Sequence, residues 1–325
     1  MNPRMNPRAT ALLGAGLAVG AIGGTAAALA ARRRAAQSAL PPGEPAGIDE
    51  RIRPDTPGHR GGSGTPLLLI HGASVTWRTW KPVLPLLEPH HEVIAPTLIG
   101  HSGGPALAEG VPPSVAALVD GVAAELDALG LDRVHIAGNS LGGWIALELA
   151  RRGRARSVVV FSPGGAWRSD RRYALLGAGI RAGVAAMDLM GPRLERLALT
   201  PRGRRLLAGA QFEHPERVDP AELIADIRAL RASPILGPLT RVLGQAPLAP
   251  LPEPGCPVRV VWARRDRVIP FHEFGAPLME RLPTAELIML DGVGHVPMPD
   301  DPETVSRLIL EITAQVDSVA AGSTR

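Results

Sequence analysis

The stretch HIAGNSLGGWIALELARR, residues 135–152, changes character at its centre. Before Ser140 it is a short apolar run closed by glycine, the composition of a strand buried on both faces. After Ser140 the apolar residues recur at helical spacing through Leu141–Arg152. Gly138 and Gly142 flank the serine two positions away on either side, giving the pattern G-x-S-x-G. A sharp strand-to-helix turn admits only small residues at those two places, and it lifts the serine hydroxyl above the sheet. Ser140 is therefore the candidate nucleophile. Leu141 N–H, the first amide of the following helix, would face an oxyanion formed on attack.

Working outward, the punctuation is regular. Residues 65–72 (TPLLLIHG), 91–97, 133–139, 157–163, 258–263 and 286–290 read as strands. Residues 113–130 and 141–152 read as helices between them, and 302–315 as a terminal helix. Alternating strands and helices predict an α/β fold, a mostly parallel doubly wound sheet with helices on both faces. Between 164 and 252 the alternation stops, and several helix-like segments occur without a convincing strand. That stretch reads as an all-helical cap inserted into a core of residues 65–163 and 253–325, lying over the carboxyl edge of the sheet. It holds 13 arginines and 8 acids, a net of +5. This charge reads as a solvated helix face, with attraction to acidic substrates or an anionic membrane surface as the functional alternative.

A serine nucleophile needs a base, and the base needs an orienting carboxylate. Asp266 follows the strand VRVVWA within three residues, and His295 follows the last strand after a glycine-rich turn. Each stands just past a strand end, in the chain order serine, acid, histidine expected for this turn. Asp291, four residues before His295, is the competing acid and ranks second. His71-Gly72 closes the first core strand, so Ala73 N–H is the second candidate oxyanion donor beside Leu141 N–H. The His71 side chain itself, and Trp77, Trp80 and Trp144, read as structural, and Cys256 as inert.

Four signatures make the chain resemble the α/β-hydrolase superfamily over about residues 65–316: HGASVTWRTW, GNSLGG, WARRDRVIP and GVGHVPMPDDP. The resemblance implies a Ser140–Asp266–His295 triad, a cap between the family's sixth and seventh strands, and no cofactor or metal. Haloalkane dehalogenases and most epoxide hydrolases of this superfamily use an aspartate nucleophile, and Ser140 argues against both. Thr97 stands where many relatives carry an aspartate. The form GNSLGG resembles carbon–carbon bond hydrolases of aromatic ring-cleavage pathways. Those relatives tend to carry an aromatic residue soon after the histidine, and here Val296-Pro297-Met298 follows.

The N-terminal part reads as a separate piece. Residues 11–31 form an uncharged run of 21 between Arg8 and Arg32, within a segment 1–35. A membrane anchor, a secretory signal peptide and a disordered Ala/Gly tail all fit that composition. Three arginines after the run against two before slightly favour a cytoplasmic catalytic part, so the expected location is membrane-anchored or cytoplasmic. Residues 36–64 read as a linker with at most a poorly formed strand. Eight arginines and four acids give residues 1–60 a net of +4, the total for the whole chain, so residues 61–325 are neutral. The high isoelectric point describes a basic tail, and no nucleic-acid partner is expected. One cysteine excludes an intrachain disulfide and a cysteine metal cluster. The expected activity is cleavage of small-molecule carboxylic esters, lipidic or medium-chain acyl esters among them, through an acyl-enzyme. The alternatives are C–C bond cleavage of a meta-cleavage-type diketone with the same triad, and a non-catalytic ligand-binding scaffold.

Overall fold

A computed structural model describes residues 57–323; the segment 11–31 lies outside them. Seven strands form one sheet in the order β1-β3-β2-β4-β5-β6-β7. They are β1 Gly58–Gly62, β2 Thr65–Ile70, β3 His91–Pro96, β4 Val134–Asn139, β5 Ala155–Phe161, β6 Val258–Ala263 and β7 Glu286–Leu290. All neighbours from β3 to β7 run parallel, and β1 alone is antiparallel, paired with β3.

The continuous apolar runs follow from this architecture, because alternate residues of each strand face opposite sides of the sheet. Leu68, Ile70, Ile136, Val158, Val160 and Val260 belong to one core cluster, together with side chains of α1 Val115–Ala128 and α2 Leu141–Arg151. Leu67, Leu69, Ala137, Val159, Phe161 and Val261 belong to the other. That second cluster includes Trp77, Trp80 and the apolar stripe Val305, Leu308, Ile309 and Ile312 of the terminal helix. Neither face of the central strands is left to water.

The structure corrects two boundaries. Residues 58–62, assigned to the linker from sequence, form the edge strand β1, which pairs with β3 along its whole length from Gly58↔Pro96 to Gly62↔Glu92. Its sequence, GHRGG, has no apolar side chain to signal a strand; backbone pairing holds it, together with His59 stacked on Trp77 and bonded to Glu88 and Arg60 paired with Glu92. The terminal helix continues to Ser323 rather than ending near 315. Asp317 explains the extension. Its carboxylate accepts from Thr65 Oγ1 at 2.8 Å and Arg156 Nη2 at 2.6 Å, and it meets His135 Nε2 at 3.1 Å. His135 Nδ1 in turn meets Ser157 Oγ at 2.7 Å. This hydroxyl–imidazole–carboxylate chain mimics a catalytic triad, but His135 is 0% and Ser157 1% exposed. It lies at the amino ends of β2, β4 and β5, away from Ser140, and serves to dock the terminal helix.

Between β5 and β6 the chain forms five α-helices: α3 Asp170–Met190, α4 Pro192–Ala198, α5 Pro201–Ala208, α6 Pro220–Ala232 and α7 Leu236–Val242. With one strand fewer before it than the family count, this helical insertion follows the fifth described strand. The bonds of its helices to the core reach loops leaving the carboxyl ends of strands, while the returning segment 248–252 is held by Arg151 and Arg281. Arg78 grips Glu222 of α6 with two bonds of 2.8 Å, and Lys81, the sole lysine, adds one of 2.7 Å. Ser102 N–H donates to Ser233 Oγ, and Ile235 N–H to Gly100 O. The insertion therefore sits over the edge of the sheet where Ser140 emerges.

Candidate active site

Ser140 stands between β4 and α2 at φ 55°, ψ −116°, a left-handed conformation that non-glycine residues adopt only when the surroundings impose it. The surroundings are backbone bonds: Ser140 N–H donates to Phe161 O at 3.0 Å, and Gly164 N–H to Ser140 O at 2.9 Å. The flanking glycines are required by close approach. A Cβ at Gly142 would lie 2.1 Å from Ile70 O, and one at Gly138 would lie 2.3 Å from Gly142 O. As the first residue of α2, Leu141 has an N–H without an intrahelical acceptor.

The loop after β2 comes alongside. A Cβ at Gly72 would meet Ser140 Cβ at 3.4 Å, which brings the Gly72-Ala73 turn against the nucleophile position. His71 fixes that turn from beneath. Its Nε2 accepts from Leu98 N–H at 2.9 Å, so Nδ1 carries the proton and donates to Gly72 O at 2.7 Å. Complete burial, with His101 beside it, pushes the His71 pKa down from 6.5 to about 3. The side chain is structural. Because the unfolded chain takes up a proton near pH 6.5 and the folded chain does not, this neutral histidine stabilises the fold fully above that pH. The stabilisation is lost as pH falls toward the folded value. Between pH 6.5 and about pH 5 the unfolding free energy should drop by about 2 kcal/mol from this group. Burial lowers His91, His101 and His135 in the same direction. Asp226, raised to about 7 by burial and then by Glu222, stabilises the fold on acidification over the same range and opposes this loss. Urea midpoints of Asp226→Asn at the two pH values therefore check it; an unchanged or higher midpoint of that variant at the lower pH would contradict it.

Asp266 and His295 meet. His295 Nδ1 lies 2.7 Å from Asp266 Oδ2, and both residues are about 5% exposed or less. The other carboxylate oxygen accepts from Val268 N–H at 2.9 Å and Ile269 N–H at 2.8 Å, which locks its plane. Asp291, the rival acid, is 77% exposed at its side chain and pairs with Arg264 on the surface. Ser140 Oγ makes no hydrogen bond to either ring nitrogen of His295.

What joins the two halves is Asn139, which sequence reading passed over as the variable position of G-x-S-x-G. It is 0% exposed, and its Nδ2 donates both to Phe161 O at 3.0 Å and to His295 O at 2.9 Å. The amide thus pins the histidine's backbone to the residue before Ser140. A second clasp comes from the insertion. Asp300 accepts from Glu213 N–H and His214 N–H, both at 2.9 Å, and from Gly294 N–H at 2.8 Å. Val296 N–H donates to Gln211 O, and Arg267 Nη2 reaches Glu213 at 2.7 Å. Segment 209–214 is therefore tied to the residues on both sides of His295 and to the neighbour of Asp266. The only sequence signal for it was Asp300 within GVGHVPMPDDP. Among the described residues no group of three or more His, Cys, Asp or Glu side chains is placed to hold a metal ion.

The fold agrees with the comparisons. Residues 67–308 match the alpha/beta hydrolase family. The chain is 37% identical over 203 residues to the protein named epoxide hydrolase EphH of Mycobacterium tuberculosis, covering 60% of this chain and 93% of that one. It is 39% identical over 107 residues to the 2-hydroxy-6-oxo-2,4-heptadienoate hydrolase of Pseudomonas putida, covering 31% of this chain and 38% of that one. The crystal structure of a bacterial membrane phospholipase A superposes with a TM-score of 0.61 at 25% identity, covering 79% of this chain and 82% of that one. The chain belongs to the alpha/beta hydrolase family, and its relatives support a hydrolase.

Proposed function

We propose that the chain is a serine hydrolase of carboxylic esters, with Ser140 as nucleophile, His295 as general base and Asp266 as the carboxylate that orients it. The observation that carries this reading is the buried 2.7 Å His295–Asp266 bond beside a serine held on a strained elbow. With Nδ1–H given to Asp266, His295 Nε2 is free to take the Ser140 proton as Oγ attacks the ester carbonyl. The amides of Ala73 and Leu141 receive the tetrahedral oxyanion, a contribution of about 3 kcal/mol per donor in comparable sites. Collapse expels the alcohol, which takes the proton from His295. Water, deprotonated by the same imidazole, then attacks the acyl-enzyme, releasing the acid and restoring Ser140.

The helical insertion acts in this reading as the cap that selects the substrate. Its Leu223, Ile224 and Ile227 are buried in one apolar cluster with Val296 and Met298, so the packing of the insertion is coupled to the loop that carries His295. Epoxide opening, the activity in one relative's name, does not transfer to a serine nucleophile. Attack of Oγ on an epoxide carbon would leave an ether, with no carbonyl for water to attack. C–C bond hydrolysis is the second reading, favoured by the local identity to the Pseudomonas enzyme and compatible with the same three residues. A substrate panel separates them. Turnover of acyl esters, without turnover of a ring-cleavage dienoate or an epoxide, is expected. Preference for the dienoate would replace the ester reading, and turnover of the epoxide alone would overturn both.

Asp300 gives a sharper test of the site's construction. Asp300→Asn puts an NH2 group against backbone N–H donors now met by a carboxylate. The expected result is a fall in kcat of about tenfold with a smaller change in KM, partly restored in Asp300→Glu. A change in KM alone, or in thermal stability alone, would show that the clasp shapes the cap without positioning His295.

A further inference from the structure

The hairpin formed by α4 and α5 has a composition unlike the rest of the surface. From Gly191 to Phe212 there are five arginines and one acid. That acid, Glu195, is buried and held by Arg228 through bonds of 3.0 and 2.7 Å, so it does not offset charge outside. Arg204 is likewise buried and spent on the carbonyls of Ala198 and Glu216. Arg193, Arg196, Arg202 and Arg205 are exposed. Only Arg205 has a carboxylate partner among the described residues, Glu216 at 3.2 Å. Among these arginines stand exposed leucines: Leu199 at 54% and Leu206 at 65%, with Leu189 at 45% on the last turn of α3. Of the eight large apolar side chains exposed in the described residues, these three fall within 18 positions of one another.

We propose that this hairpin is a docking surface for an anionic lipid bilayer. Guanidinium groups at the phosphate level and leucines reaching below it satisfy both halves of the composition at once. Nucleic acid would meet the arginines but would leave the leucines in water, and residues 191–211 offer no aromatic ring for base stacking. The proposal does not depend on which ester is cleaved, nor on what residues 11–31 do. The hairpin runs directly into segment 209–214, so a membrane contact there would act next to the His295 clasp.

The test uses the full chain with Cys256→Ser and Leu206→Cys, carrying an apolar environment-sensitive fluorophore at the new thiol. Every hairpin position changed is exposed, so folding is not at stake. A blue shift on vesicles containing phosphatidylglycerol, absent on pure phosphatidylcholine and reversed by about 0.5 M salt, is expected. Adding Arg193→Gln, Arg196→Gln and Arg202→Gln should raise the half-saturating lipid concentration about 100-fold. Because the basic segment 1–35 could itself recruit the chain to anionic vesicles, the glutamine variant separates the two sources: an unchanged half-saturating lipid concentration in it would assign the shift to the tail and overturn the proposal. No shift with phosphatidylglycerol, or an equal shift with phosphatidylcholine, would overturn the proposal. A shift with polyglutamate or DNA but not with vesicles would also overturn it, assigning the surface to an acidic macromolecule.

Discussion

In the proposed reaction, Ser140→Ala is expected to reduce ester turnover by about six orders of magnitude in kcat while leaving the fold intact. The loss is large because the nucleophile and its base act as a unit, and alanine offers no oxygen for the carbonyl. The fold survives because the serine side chain makes no hydrogen bond among the described residues, and the bonds that hold the elbow are backbone bonds from Ser140 N–H and to Ser140 O. The strained φ of 55° is retained by those bonds in either residue. Residual activity and the thermal midpoint, measured on one preparation, check both halves of the prediction. A variant that keeps more than about one part in a thousand of kcat would remove Ser140 from the covalent role.

The second large effect belongs to Asp266→Asn, which should lower kcat by about 10^4. Asp266 Oδ1 receives the amides of Val268 and Ile269, and Oδ2 faces His295 Nδ1. Asparagine turned with its oxygen toward the two amides presents NH2 to the imidazole. Nδ1 then becomes the acceptor, the proton moves to Nε2, and the base faces Ser140 in the wrong tautomer. Substrate affinity should hold, since Asp266 is buried beneath the histidine. Asp291→Asn, by contrast, should leave kcat within about twofold, because that carboxylate is a surface partner of Arg264. Equal losses in the two variants would contradict the assignment of the acid.

Much of this was legible from sequence because parallel strands covered on both faces need unbroken apolar runs. TPLLLI, VHIAGN and VRVVWA are such runs, and each ends at a loop that supplies a candidate site residue. The elbow was legible for a steric reason, glycines where a Cβ would meet backbone. Other parts left no local trace. GHRGG becomes a strand because β3 offers its backbone and because His59 and Arg60 find Trp77, Glu88 and Glu92. The tail of the terminal helix depends on Asp317 finding Thr65, His135 and Arg156, residues more than 160 positions away. Asn139 looked interchangeable, since a pattern records spacing and not the two carbonyls that a side-chain amide reaches. Asp300 likewise acts on amides of an insertion about 86 residues earlier in the chain. Asp266 and Asp291 were separable by position along the strand, yet only the buried contact to His295 gives that ranking a physical basis.

The most direct measurement is peptide-level mass spectrometry of the full chain after treatment with a fluorophosphonate. The account predicts one adduct, on the peptide that carries Ser140, formed by folded protein and not formed when the protein is unfolded in urea before treatment. An adduct on any other hydroxyl, or none on well-folded protein, would contradict the claim that Ser140 is an activated nucleophile.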